Sequence, residues 1–364
     1  MKNTFGNNIS VTLFGESHGE AIGAVLDGIP AGVEVDLEFI RKQLDLRRPV
    51  GKISTPRSEA DKFQLVSGCF NSKTTGTPIC IVIPNENTHS KDYSSSYGKA
   101  RPGHADYTAF CKYNGCEDYR GGGHFSGRIT AGLVAAGAIA IKMLDSKNIK
   151  IGTHILKCAG VFDDSFKDIN VELDALNNKA FAVINDDKGK QMIENIEKAA
   201  AKGDSVGGIL ETVVTGLPVG VGEPWFDSLE SVLSHGLFSI PAIKGVEFGQ
   251  GFNCADMLGS EMNDSFKLDN GEIVTETNNN GGINGGISNG MPLVIKCAVK
   301  PTPSISKEQN TVYFINNENT VLSVKGRHDP CIVHRARVVA DSVVAITLCD
   351  MLSQKFGTDW FGED

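Results

Sequence analysis

The middle of this chain contains no arginine. Its ten arginines stand at Arg41, Arg47, Arg48, Arg57, Arg101, Arg120 and Arg128, then at Arg327, Arg335 and Arg337, while lysines continue throughout the 364 residues. Net positive charge is lacking too. The formal charge is −9 and the pI about 5.4, which argues against a general binder of nucleic acid or anionic membrane. The nine cysteines form no C-x-x-C, the nearest pair being Cys111 and Cys116, and read as reduced thiols of a cytoplasmic protein. The opening "MKNTFGNNIS" lacks the apolar region of a signal peptide, and the longest apolar run, 131–141, is too short to span a bilayer. There is no G-x-x-x-x-G-K-[ST], no G-x-G-x-x-G after a strand, no H-E-x-x-H and no zinc spacing. Walker and Rossmann nucleotide binding therefore have no signature, and no metal site is expected.

What is present begins with an ordinary hydrophobic content of 40%, enough for a sizeable core. Short stations recur in one order. "GIPAGV" at 28–33 returns as "GLPVGV" at 216–221, and "GTPICIVIPN" at 76–85 is echoed by "GMPLVIKCAVKP" at 290–301. "GGGHFSGR" at 121–128 and "GRHDPC" at 326–331 each precede a long apolar segment. The order predicts one domain, 1–364, with two pseudo-repeats at about 1–160 and 195–364. "AIGAVLDGI" and "GGILETVVTGL" read as strands, "DLEFIRKQLDL" and "WFDSLESVLSHGL" as helices. "RITAGLVAAGAIAIKML" is apolar on nearly every side, so it must be covered on several faces and belongs between sheets. The polar stretches 84–100, 263–282 and 304–320 read as loops.

"GESHG" at 15–19 fits the G-x-S-x-G of a hydrolase nucleophile elbow. An elbow joins a strand to a helix and draws its oxyanion hole from an earlier loop. Only sixteen residues precede Ser17, and "EAIGAVLDGIPAG" behind it reads as strand and turn. The elbow reading is set aside, and a glycine-bounded turn would leave Glu16-Ser17-His18 unexplained.

Four segments set histidine beside arginine or aspartate among glycines: "GESHG", "RPGHADYT" at 101–108, "DYRGGGHFSGR" at 118–128 and "KGRHDPC" at 325–331. Glycines let backbone N–H groups approach an anion closely, and the planar guanidinium suits carboxylate and phosphate better than lysine does. Ser126 is placed to cap the helix behind it, whose N-terminus favours a phosphate. A histidine beside cations is a plausible acid for a departing phosphate. Together the segments predict an anion pocket built from both ends of an acidic protein.

These segments resemble the chorismate synthase family. "GESHGEAIGAVLDGIPAG", "RPGHADYTAFCKYNGCEDYRGGGHFSGRIT" and "KGRHDPC" carry the likeness. "GDSVGG" at 203–208, "KGVEFGQGF" at 244–252, "NGGINGGISNG" at 280–290 and "KPTPSI" at 300–305 extend it over nearly the whole chain. The resemblance implies an α+β fold, a β-α-β sandwich with long helices between two antiparallel sheets, assembled as a homotetramer. It implies a 1,4-elimination of phosphate from 5-enolpyruvylshikimate 3-phosphate to give chorismate, with reduced FMN as cofactor and no net redox change. A substrate with one phosphate and two carboxylates, beside the FMN phosphate, accounts for the confined arginines.

The resemblance also assigns roles. His18 corresponds to the histidine that protonates the departing phosphate, His104 to one held near the reduced flavin that stabilises or protonates it, and Asp329 to the aspartate that works with flavin N5 in removing the ring proton. Arg47, Arg48, Arg101 and Arg128 correspond to substrate contacts, with Ser17 a hydrogen-bonding neighbour. His124, Phe125, Ser126, Pro241, Ala242, Gly285, Lys300, Pro301, Thr302, Pro303, Ser304 and Arg327 correspond to flavin contacts. Two departures stand out. His124 occupies a position where many relatives have arginine, and so does Ile53, which leaves Lys52 or Arg57 to reach the same anion.

Three rival readings remain: a flavin-dependent reductase consuming a nicotinamide cofactor, a phosphate-binding or regulatory protein without chemistry, and a hydrolase. No nicotinamide fingerprint appears, so a separate flavin reductase is expected as a partner.

Overall fold

The computed structural model describes residues 2–49, 51–54, 60–86, 97–324 and 329–362. Strands β1 (Thr4–Gly6), β2 (Ser10–Gly15) and β3 (Ala21–Asp27) fold back on one another. Helix α1 (Leu37–Leu46) follows, its start fixed by Asp36, whose carboxylate accepts from the Phe39 N–H at 2.9 Å. Then come β4 (Gln64–Ser67), a small hairpin of β5 (Cys69–Phe70) and β6 (Lys73–Thr74), and β7 (Ile79–Pro84). The first sheet has the order β1-β2-β3-β7-β4 and is antiparallel throughout. Its period of two is plain: Ile22, Ala24 and Leu26 on β3 and Ile79, Ile81 and Ile83 on β7 are all fully buried.

Helices α2 (Asp106–Tyr113) and α3 (Thr130–Ser146) lead to the second sheet. That sheet is built from β8 (Lys150–Cys158), β9 (Val161–Phe162), β10 (Gly208–Thr215), β11 (Ile243–Phe248) and, later in the chain, Leu293–Val299. Helices α4 (Ile169–Leu176), α5 (Asp186–Ala201), α6 (Leu229–Phe238) and the short α7 (Gly259–Met262) lie between these strands in sequence. Ser228 caps α6 by accepting from the Ser231 N–H at 3.1 Å. Three hairpins complete the chain's strands. They are β12 (Phe266–Asp269) with β13 (Glu272–Thr275), β14 (Ile283–Asn284) with β15 (Ile287–Ser288), and, after β16 (Leu293–Val299), β17 (Gln309–Tyr313) with β18 (Glu318–Leu322). The second sheet runs β11-β16-β10-β8-β9, again antiparallel. Helix α8 (Val333–Phe356) ends the core.

Helix α3 packs on the first sheet, α8 on the second, and the two helices pack on each other. This is the β-α-β sandwich that the family resemblance implies. α3 has no polar side to offer water; Leu133, Val134, Ile139 and Leu144 are buried along with its alanines. The stretch Gly127–Ser146 is long and apolar enough to cross a membrane, yet most of it is buried inside the fold. Close approach depends on small residues at one crossing, where a Cβ on Gly137 would overlap Ser342 of α8. The chain's two ends are tied by Asp350 near the end of α8. Its carboxylate accepts from the backbone N–H groups of Asn7, Asn8 and Ile9 at 3.0, 2.8 and 3.0 Å. Bonds to a charged acceptor contribute about 1.5–3 kcal/mol each, so this carboxylate fixes the β1–β2 turn and, through it, the entry to "GESHG".

The strands β2-β3-β7-β4 and β8-β10-β16-β11 have the same connectivity within their sheets. β8 falls within the first expected repeat by sequence, yet its partner is β10. Two of the three expected loops are not loops. Stretch 263–282 holds β12–β13 and stretch 304–320 holds β17 and the start of β18, each hairpin turning at an asparagine in the left-handed region, Asn270 (φ 50°) and Asn317 (φ 57°). Their polar composition hid a period-two pattern. Most of the third, 84–100, lies outside the described residues.

Candidate active site

One cleft of about 1680 Å³ opens at the ends of these elements. Ligand pockets usually measure about 300–1,000 Å³, so this one has room for two small molecules. Its walls come from the β2–β3 turn, the end of α1, the segment leading into α2, the glycine run before α3, and the residues after α6, β16 and before α8.

Ser17 and His18 sit in the turn between β2 and β3, both buried. Ser17 Oγ lies 3.0 Å from His18 Nδ1 and 3.2 Å from the carbonyl oxygens of both Arg120 and Gly121. The hydroxyl has one proton, which goes to a carbonyl, so it accepts from His18 Nδ1–H. "GESHG" thus joins two antiparallel strands, and its serine donates to backbone. It is not a nucleophile elbow.

The glycine run faces both histidines of interest. Gly121 (φ +59°), Gly122 (φ +85°) and Gly123 (φ +52°) lie in the left-handed region. A Cβ on Gly121 would overlap the His18 ring and Ser17 Oγ, and one on Gly122 would press on His104 at 3.1 Å. The Gly123 carbonyl accepts from the Ser17 N–H at 3.1 Å. Gly121→Ala is therefore expected to lower turnover at least about tenfold while the melting temperature falls only modestly, because strain and overlap together cost about 1–3 kcal/mol at one site. Steady-state kinetics beside a thermal melt check this, and wild-type turnover would refute it.

His104 and Arg101 precede α2. His104 Nδ1 is 2.9 Å from Asp106 Oδ1, and Arg101 grips the same carboxylate. Across the cleft, Arg47 at the end of α1 and Arg128 before α3 close on Asp61 from two sides, Arg47 at 3.1 Å. Burial pushes the Asp61 carboxyl up, but the two guanidiniums outweigh it and hold it below the usual carboxylate range. Burial, joined by repulsion from Arg335 and Arg128, drives the Arg47 pKa down against the pull of Asp61, and its Nε is buried without a partner among the described residues. Arg128 Nε donates to Asn85 Oδ1 at 3.1 Å. Asn85 Nδ2 donates in turn to the Glu16 and Gly19 carbonyls at 3.0 and 2.9 Å, which ties this arginine to the "GESHG" turn. Arg48 lines the cleft at its rim, paired with Asp45 at 3.0 Å. Asp329 pairs with Arg335 at 2.7 Å, and Arg335 Nε donates to the Arg47 carbonyl at 2.8 Å. This links the last segment to the first.

The expected flavin contacts mostly share this cleft. His124 donates from Nδ1 to the Gly15 carbonyl at 2.8 Å, and Phe125 and Ser126 follow it in the wall. Ser126 caps the turn before α3 by accepting from the Arg128 N–H at 3.3 Å. Pro241, Ala242, Lys300, Thr302, Pro303 and Ser304 line the opposite side. Ala242 is held at φ 77°, and its carbonyl accepts from the Lys300 N–H at 2.9 Å. Thr302 Oγ1 is buried without a protein partner. Pro301 and Gly285 do not line the cleft. Pro301 is exposed between two residues that do, and Gly285 is exposed at the tip of the β14–β15 hairpin. Arg327, Arg57 and the Lys52 side chain lie outside the described residues. Ile53 is buried in the hydrophobic core.

Sequence reasoning missed Asp61, Asp106, Gly121 and Arg335 as parts of the site. Asp106 lay inside a motif already singled out. Asp61 had no signal, being one acid in "SEADKF". Among the described residues no group of three or more histidines, cysteines or acids is arranged to hold a metal.

A family model described as chorismate synthase matches residues 9–353. The chain is 47% identical over 356 residues to a chorismate synthase of Dehalococcoides mccartyi, with 96% of each chain covered. It is 48% identical over 351 residues to one of Methanobrevibacter smithii, again with 96% of each covered. A crystal structure of chorismate synthase superposes with a TM-score of 0.76 at 28% identity, covering 97% of this chain and 94% of that one. With near-complete coverage by family, relatives and structure, and with the motif residues gathered in one cleft, this chain belongs to the chorismate synthase family.

Proposed function

We propose that this cleft converts 5-enolpyruvylshikimate 3-phosphate to chorismate by 1,4-elimination of phosphate, with reduced FMN as cofactor. The observation that carries the reading is the convergence of His18, His104, Asp329 and the Arg47–Arg128 pair, from distant parts of the chain, on one cleft large enough for two ligands. The residues fit two anionic ligands. Arg47 Nε and Thr302 Oγ1 are buried polar atoms without protein partners, and Lys300, His124 and Arg128 add donors along the walls. His124, Phe125, Ser126, Ala242, Lys300 and Thr302 to Ser304 would hold the flavin. When bound, reduced FMN supplies electron density to the reacting carbon framework without net redox change.

The chain's own residues do the rest. Arg47 and Arg128, held in place by Asp61, would turn their remaining N–H donors to the anionic groups of the substrate. His18, oriented through Nδ1 by Ser17, gives a proton to the departing phosphate. Asp329, oriented by Arg335, takes the proton from the ring carbon.

The same reading includes a homotetramer, supported by the large apolar side chains left on the surface, Trp225 and Phe226 being 85% and 90% exposed, with Phe252 and Leu258 also exposed. It includes a cytoplasmic location, supported by nine unpaired cysteines, and a separate flavin reductase. Purified protein is expected to form chorismate without oxygen when FMN is reduced chemically, and not with NADPH and oxidised FMN alone. Turnover with NADPH alone would favour the self-reducing alternative, and no chorismate in either case would refute the reading. Sedimentation of the purified chain tests the tetramer.

A further inference from the structure

Asp106 has no role in the reaction as just described, yet it is among the most heavily bonded carboxylates of the cleft. It is the first residue of α2. Oδ2 accepts from the Arg101 backbone N–H at 3.0 Å and from Arg101 Nε at 2.8 Å. Oδ1 receives Arg101 Nη2 at 2.7 Å and His104 Nδ1 at 2.9 Å. The remaining guanidinium nitrogen, Arg101 Nη1, donates to Ser304 Oγ at 3.3 Å. Burial pushes the Asp106 carboxyl up, but the bonds from Arg101 and His104 outweigh it and hold it well below the usual carboxylate range. An ionised carboxylate only accepts, so the proton between Asp106 and His104 sits on Nδ1. Arg101 Nη2 also lies 3.0 Å from Nδ1. Two donors cannot bond each other, and that proximity follows from both gripping Oδ1. The other edge of the ring, Cε1 and Nε2, lies against Gly122 in the cleft wall.

We propose that Asp106 is the positioning residue of His104, holding the ring as its Nδ1–H tautomer with Nε2 toward the cleft, and that Arg101 fixes the Asp106 carboxylate from its other side. The proposal rests on the reading that His104 works in this cleft. The tautomer is set by what this nitrogen bonds; the acceptor-only carboxylate at 2.9 Å selects Nδ1–H, while Arg101 Nη2 already spends a proton on Oδ1. The competing role for Asp106 is purely structural, an acid in the first turn of α2 that favours the helix N-terminus.

The test uses the full-length protein labelled with ¹⁵N at histidine, without ligands, with the His104 signals assigned by their loss in His104→Ala. The wild-type spectrum is expected to show the proton on Nδ1. In Asp106→Asn the amide NH₂ turns toward the ring, Nδ1 becomes an acceptor and the proton moves to Nε2. Turnover in Asp106→Asn falls about 10- to 100-fold while KM for 5-enolpyruvylshikimate 3-phosphate changes less than about twofold. Arg101→Lys, which keeps the charge and loses the fork that holds Asp106, lowers kcat and loosens the hold on the His104 tautomer. An unprotonated Nδ1 in the wild type overturns the proposal, and this result needs no variant to fold. Unchanged turnover in Asp106→Asn overturns it in favour of the helix-terminus role. A fully active His104→Ala sinks the role of His104 itself, whatever the tautomer.

Discussion

Replacing His18 with alanine is expected to lower turnover about 100-fold or more with the fold intact, since positioned proton transfer contributes about 10²–10⁴ in rate. The ring is buried in a turn whose backbone is held by the Gly123 carbonyl, and its Nδ1 is committed to Ser17. Its removal leaves the phosphate without its acid while the surrounding strands β2 and β3 keep their pairing. Ser17→Ala is expected to cost clearly less, about tenfold. It removes the lock on the tautomer and leaves the acid in place. A serine hydrolase would give the reverse order, with Ser17→Ala abolishing activity. Circular dichroism and steady-state chorismate formation on the two variants decide between these outcomes. Equal losses in both would show that the hydroxyl acts in the chemistry itself.

Asp329→Asn is expected to bind substrate and reduced FMN nearly normally and to turn over about 100-fold more slowly or worse. The amide keeps the shape and still accepts from Arg335, now 2.7 Å from the carboxylate, but it has almost no basicity. With substrate deuterated at C6, the variant should show a larger isotope effect on turnover than the wild type, because proton removal becomes limiting. An alternative role, capping the last helix, has no support in the geometry. α8 begins at Val333 with Ile332 as its cap residue and no side-chain cap bond, while Asp329 turns to Arg335. Since asparagine caps as well as aspartate does, wild-type turnover in Asp329→Asn would reject the role of base. So would a large loss of affinity with turnover preserved.

Much of this was legible from the chain alone, and the reasons are local. α1 and α6 were visible because their apolar positions recur at helical spacing, a short-range signal, and the structure adds the caps Asp36 and Ser228. β3 and β10 were visible as β-rich runs ended by glycine and proline. α3 was placed between sheets because an all-apolar helix has no other stable location. Hairpins β12–β13 and β17–β18 were read as loops, because the asparagines and serines around these short, largely exposed strands outweighed their few apolar residues in composition. The sheet membership of β8 was not legible either, since pairing between β8 and β10 joins segments some sixty residues apart, as Thr153 to Thr212 does.

For the site the division is similar. The sequence by itself determined which residues have the right chemistry. His18, His104, His124, Arg101, Arg128 and Asp329 each stand in a glycine-bearing motif, and a motif is a local pattern of residue types. Only the tertiary structure decided how those groups are disposed toward one another. It put Asp61 between Arg47 and Arg128, Arg335 behind Asp329, and Gly121 and Gly122 against His18 and His104. It also left Gly285 and Pro301 outside the cleft wall. Residue type fixes what a side chain can donate, accept or ionise. Its partner is fixed by chain segments that meet only when α8, through Asp350 and Arg335, draws the end of the chain onto its beginning.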